Sequence, residues 1–251
     1  MASNLDSYVK ASKPPPKALA TSQEIRDRGS TFVATVYAAT SPEEARKAVN
    51  HLKNVTHGAR PATHEIAAWG CMVLKPQRDG LGGPDDFEVV SGSDDDGEKY
   101  AGGRVLKVMQ AEGVIDAVVV VSRWFGGEML GRVRFDHIEM CAREVGHAFR
   151  RKDDMATCIA TLASLDKTLA LLRTQLAGAT RTADTNDAKE TGEENSTVDG
   201  SVIIAKKPSD PSYSALEESL DVAKAKRLIT ARENSIRSVR VALKKAQDKT
   251  A

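Results

Sequence analysis

Aromatic residues are scarce in this chain: two Trp, four Tyr and five Phe make up 4% of 251 residues. With apolar residues at 41%, a packed core is expected to fill only part of the length. Cysteine is almost missing. Cys71, Cys141 and Cys158 lie far apart and in no metal-ligand spacing, which excludes a disulfide framework and reads as reduced thiols in a cytoplasmic protein. Long hydrophobic runs are absent as well. The longest, Ala117 to Val121, falls far short of the roughly 20 residues that a membrane helix needs. The first residues lack the apolar core of a secretory signal, so a soluble protein without a membrane partner is expected. Neither charge dominates, with 36 basic residues against 35 acidic ones, and overall charge selects no partner.

What is present divides the chain into five parts. Residues 1–28 are polar around Pro14-Pro15-Pro16 and read as a flexible tail. Residues 29–150 carry the signals of a compact domain. Phe32 to Ala38 alternates as a strand. Ser41-Pro42-Glu43-Glu44 starts a helix, with serine as the cap, proline at the first position and Glu44 placed to close a capping box. Ile66 to Leu74 and Phe87 to Val90 read as strands flanking a loop that begins at Lys75. Val105, Leu106, Val108 and Met109 mark a second helix that ends near Gly113. Ile115 to Val121 has no polar alternation, as in a strand covered on both faces or pressed under a helix. Phe135, Ile138, Cys141, Ala142, Val145 and Phe149 give a third helix a wide apolar stripe. The order predicts a two-layer α+β domain.

The remainder is helical in pattern. Met155, Cys158, Leu162, Leu165, Leu169, Leu172 and Leu176 form an unbroken heptad series over 151–177. Residues 178–212 read as a disordered linker. Val222, Ile229, Ile236 and Leu243 repeat every seven residues in 213–251. Such helices suit an antiparallel hairpin, a homodimeric coil, or packing on the main domain. Between Lys224 and Lys249, nine basic residues face Glu233 and Asp248, a local net charge of +7. Lys224, Lys226, Arg227, Arg237, Arg240, Lys244 and Lys245 are therefore candidate contacts to RNA or the ribosome, or else a solvated helix face.

Candidate chemistry concentrates in two stretches. Asp94, Asp95, Asp96 and Glu98 form an acidic turn, either a hard-cation site or a solvated turn; the spacing is not that of an EF-hand. Ala101-Gly102-Gly103-Arg104 follows, and without a P-loop lysine these glycines suit a tight turn into a helix. Arg123-Trp124-Phe125-Gly126-Gly127 closes the apolar strand, either as a partner surface, in residue types enriched where partners are buried, or with Trp124 and Phe125 covering the domain end while Arg123 pairs with the acidic turn. Ser122 lacks a glycine elbow, and His57, His64 and His137 are scattered, so no catalytic residue, cofactor or metal is assigned.

These motifs resemble the IMPACT family over roughly residues 29–145. The likeness rests on Ala62-Thr63-His64, Asp95-Asp96-Gly97-Glu98, Ala101-Gly102-Gly103-Arg104, Val119 to Gly127, Leu130-Gly131, Arg134 to Ile138 and Cys141-Ala142-Arg143. Ser-Arg-Trp and Ala-Gly-Gly-Arg are similar to the eukaryotic branch. The resemblance implies a fold like the second domain of ribosomal protein S5 and a non-enzymatic role in translational control. Eukaryotic members restrain the starvation-activated initiation-factor kinase by competing for its activator protein. They carry an RWD domain ahead of this module, whereas 28 residues precede it here, so a chain working without one is expected. Arg132-Val133 replaces the family's usual Pro-Asp. The expected partner-binding surface comprises His64, Asp95, Asp96, Glu98, Arg104, Arg123, Trp124 and Phe125, with Gly97, Gly102, Gly103, Gly126, Gly127 and Gly131 shaping its turns.

Overall fold

Nine residues from Ser30 to Ala38, nearly all buried, form the strand on which the sheet is built. The computed structural model describes residues 14–187 and 212–250, and the chain divides into two compact units between Arg150 and Arg151. The first unit begins with β1 (Ala18–Thr21), β2 (Ile25–Asp27) and β3 (Ser30–Ala38). Next come α1 (Pro42–His51), a single π turn (Leu52–Thr56), β4 (His64–Leu74) and β5 (Phe87–Asp94). It closes with α2 (Ala101–Glu112), β6 (Ala117–Trp124) and the first part of α3 (Val133–Asp187). All pairings are antiparallel, in the order β1-β3-β6-β4-β5, with β2 also on β3.

β6 lies at the centre, between β3 and β4, and its residues from Ala117 to Arg123 are buried. Both of its faces are covered, which is why its sequence shows no polar alternation. Val119 and Val121 face α2 and α3, where they join Phe32, Ile66, Val105, Met109, Ile138 and Val145 in the larger core. Val118 and Val120 face α1, packing with Tyr37, Ala45, Ala48, Leu52 and Cys71. Each fully buried side chain of this size contributes about 1.5–3 kcal/mol. The α+β class is as expected.

The start of α1 follows its sequence signal with one shift. Ser41 Oγ accepts from the Glu44 amide at 3.3 Å. The Glu44 carboxylate reaches one residue further back than a capping box, to the amide (3.1 Å) and hydroxyl (2.8 Å) of Thr40.

Three expectations are corrected. Residues 18–27 are not a flexible tail: β1 and β2 pair with β3, and Leu19, Ala20 and Ile25 pack against the larger core. Residues 1–13 lie outside the described residues. The third helix and the first heptad helix are one continuous element, α3, since Arg150-Arg151-Lys152-Asp153-Asp154 contains no breaker. That helix also runs past Gly178 to Asp187, into the stretch read as linker, and the rest of that stretch up to Pro211 lies outside the described residues.

In the second unit, the heptad residues Met155, Cys158 and Leu162 pack with Leu216 of α4 (Ser214–Ser219) and Ala225 of α5 (Val222–Thr250). Tyr213 donates to Asp166, and Arg232 Nε reaches the same carboxylate at 2.5 Å. Ala225 therefore sits beside residues 155–162, and Arg232 sits further along α3 at Asp166. Instead of an antiparallel hairpin, α4 doubles back at Leu220 (φ 49°) and α5 runs alongside α3 in the same direction. The heptad faces thus meet within one chain. α3 also holds an 18-residue window of mean hydropathy 1.4, apolar enough by length and composition to cross a membrane. Met155, Cys158 and Leu162 of this helix pack with residues of α4 and α5.

Candidate functional site

The charged site lies where the end of β6, the start of β4 and the turn before α2 come together. Strand alternation sends Arg123 to the α2–α3 face, the side of Val119 and Val121. It is 5% exposed, and Nη1 donates to Oε2 of Glu98, itself 6% exposed. Arg134 Nε donates to the other carboxylate oxygen at 2.7 Å. Glu98 is thus held between two guanidinium groups, a geometry that answers the cost of burying a carboxylate. The Arg123 guanidinium also lies 5.4 Å from the Phe32 ring centre and 5.5 Å from that of Phe125.

His64 opens β4 beside this pair. Its Nδ1 lies 2.8 Å from the Asp96 carbonyl, and a carbonyl can only accept, so Nδ1 carries the proton. Nε2 then faces Glu98 Oε2 at 3.9 Å. These groups line a cleft of about 290 Å³ that also takes in Phe125, Met129 and Arg134. Phe125 is 43% and Met129 78% exposed at its rim. The arrangement can bind and orient charged groups.

The other carboxylates of the acidic turn are committed to structure. Asp95 accepts from the amides of Tyr100 (2.9 Å) and Gly102 (2.8 Å), capping α2, whose own N-cap Tyr100 makes no side-chain cap. Asp96 accepts from Lys53 Nζ at 3.0 Å and from the Glu65 amide at 2.8 Å. Burial alone would raise the Asp96 carboxyl, but the Glu65 amide and Lys53 outweigh it and hold the group below the usual carboxylate range. Among the described residues no three His, Cys, Asp or Glu side chains gather as a metal site.

Of the sequence candidates, His64, Glu98, Arg123 and Phe125 converge. Arg104 and Trp124 do not join them. Arg104 pairs with Glu139 at 2.7 Å over the Phe135 ring. Trp124, one residue after Arg123, takes the opposite sheet face; Nε1 donates to the Arg60 carbonyl at 3.1 Å and the ring meets His57 edge-on. Among the glycines, Gly97, Gly127 and Gly131 occupy left-handed backbone, while Gly126 is pressed against Gly29. Gly102 stands tight against the Asp94 carbonyl, but Gly103 lies in α2 with open space around it and shapes no turn. Arg134 and Met129 were missed. Their signal lay in Met129-Leu130-Gly131, a connection that must cross the end of β6 to reach α3.

A second polar centre lies on the α1 face. Glu65 is buried; its carboxylate accepts from Ser122 Oγ at 2.5 Å and lies 2.7 Å from His57 Nδ1. The π turn delivers His57 to this position.

Comparison with known proteins agrees with these motifs: residues 28–145 match the family model of the Impact N-terminal domain. Just under half of the chain is therefore similar to the Impact N-terminal domain. The Protein IMPACT homolog of Saccharomyces cerevisiae is 40% identical over 123 residues, which cover 49% of this chain and 43% of that protein. Protein IMPACT of Danio rerio is 37% identical over 123 residues, 49% of this chain and 35% of that protein. The chain thus spans less than half the length of these relatives. A solved structure of the two-domain translational regulator Yih1 is 36% identical, covers 53% of this chain and 47% of that one, and has a TM-score of 0.34. The charged cleft falls within the Impact N-terminal domain.

Proposed function

We propose that this chain is a cytoplasmic, non-enzymatic regulator of translation that captures a partner protein on the Arg123–Glu98–Arg134 face of its Impact N-terminal domain. By family likeness the partner is the activator protein of the starvation-responsive initiation-factor kinase. The observation that supports this most is a fixed charged cleft with Phe125 and Met129 exposed at its rim, since aromatic, Met and Arg side chains are enriched at interface centres. Adding the full chain to a starved cell extract is expected to lower phosphorylation of the initiation factor's α subunit. A Phe125→Ser/Met129→Ser double variant is expected to lose most of that effect. Unchanged phosphorylation with the native chain counts against the reading.

A second reading rests on α5. Lys224, Lys226, Arg227, Arg237, Arg240, Lys244 and Lys245 are all exposed, and among the described residues no salt bridge engages them. At 100° per residue, Lys226, Arg237 and Lys244 fall within about 20° of one another and Arg240 within about 60°. Such a stripe suits the phosphate backbone of RNA or the ribosome. Binding to RNA that weakens steeply with salt supports it, and an affinity indifferent to salt removes it.

A further inference from the structure

Resting on the reading of the cleft as a partner-capture surface, we propose that it is a receptor for a carboxylate side chain on a partner polypeptide. Two guanidinium groups and one carboxylate line it, leaving one net positive charge. Both Glu98 oxygens are already taken, one by Arg123 and one by Arg134. Arg123 Nε is buried and has no acceptor among the described residues. A buried donor of this kind is costly unless something accepts from it. A carboxylate offers two coplanar acceptor oxygens that match the arginine fork.

Charge and size select among anions. A single net positive charge is neutralised by a singly charged carboxylate, whereas a phosphate dianion would leave the site net negative beside Glu98. At about 290 Å³ the cleft lies at the lower end of ligand sites, which run from roughly 300 to 1,000 Å³. One side chain fits more readily than a nucleotide. A free small anion would leave Phe125 and Met129 uncovered, while an apolar residue next to the acidic one would cover them.

The test uses the full chain carrying ¹⁵N-arginine. Its Arg123 Nε–H signal is followed while acetyl-Ala-Glu-Leu-Ala-amide, its Gln counterpart or inorganic phosphate is added to millimolar concentration. Expected is a saturable shift with the Glu peptide and a response at least tenfold weaker with the Gln peptide. Arg134→Gln, at a partly exposed position, should weaken the Glu peptide at least fivefold and leave the Arg123 signal in its folded position. Phe125→Ser should narrow the preference for Glu-Leu over Glu-Ala. Equal response to both peptides, tighter binding of phosphate, or a still Arg123 signal would overturn the proposal. Should the peptide fail while activator capture persists, only the carboxylate chemistry falls. Should the peptide bind while the activator is not captured, the carboxylate receptor stands and the translational reading falls.

Discussion

Arg123 and Glu98 form a buried ion pair that ties the end of β6 to the turn before α2. Removing one partner strands the other charge in the interior. Arg123→Met or Glu98→Leu alone is expected to cost about 3–5 kcal/mol, and the double replacement distinctly less than the sum. Urea titrations of the four proteins check this. Additive losses would mean the two groups do not act as a pair. Charge reversal at Arg123 is thus a test of folding, and Arg134 or the rim residues are the places to test binding.

Two glycines should respond to alanine with opposite sign. A Cβ on Gly126 would stand 1.9 Å from the Gly29 carbonyl carbon, so the backbone between β2 and β3 must move. Gly126→Ala is expected to destabilise by at least about 1–3 kcal/mol. Gly103 is helical with nothing nearby, and Gly103→Ala should stabilise by about 0.5–1 kcal/mol. Thermal midpoints should separate the two variants clearly.

The Asp27 carboxyl is held down to about 2 by hydrogen bonds from Arg28 and His137. Its folded value lies below the ordinary 3.8, so its contribution to stability is complete above about pH 4 and is lost as pH falls toward 2. Asp27→Asn should flatten that part of the acid limb while shifting stability at pH 7 downward. Urea midpoints between pH 5 and 2 measure it, and an unchanged limb would remove the His137–Asp27 tie as a stabilising contact.

Burial pushes the thiols of Cys71 and Cys141 up to about 11. The native chain should therefore react only slowly with a thiol-specific disulfide reagent at pH 8. All three cysteines should react promptly in denaturant. Fast labelling of Cys71 and Cys141 in the native chain would show that both cores open readily.

Much of the domain was legible because its signals are local. The cap at Ser41, the stop at Gly113 and the apolar β6 each identify an element from a few residues. β1 and β2 were not legible: at four and three residues they are too short for a period, and pairing with β3 makes them strands. The split of α3 was an error of a different kind, since the apolar stripe over 135–149 and the heptad series from Met155 were read as two helices although no breaker separates them. For the site, the opposite charges of Glu98 and Arg123 marked a true pair. Grouping Trp124 with Arg123 ignored strand alternation, which forces neighbours to opposite faces. Arg134 was obscured because its role depends on how the connection from β6 enters α3.

The most direct measurement is affinity capture of the kinase activator from starved cell extract, identified by mass spectrometry. Three full-length baits serve: the native chain, Phe125→Ser/Met129→Ser, and a variant with Lys226, Arg237, Arg240 and Lys244 changed to Gln. The expected result is recovery by the native and α5 variants and at least tenfold loss with the rim variant. Full recovery with the rim variant, or loss confined to the α5 variant, would contradict a capture surface on the Impact N-terminal domain.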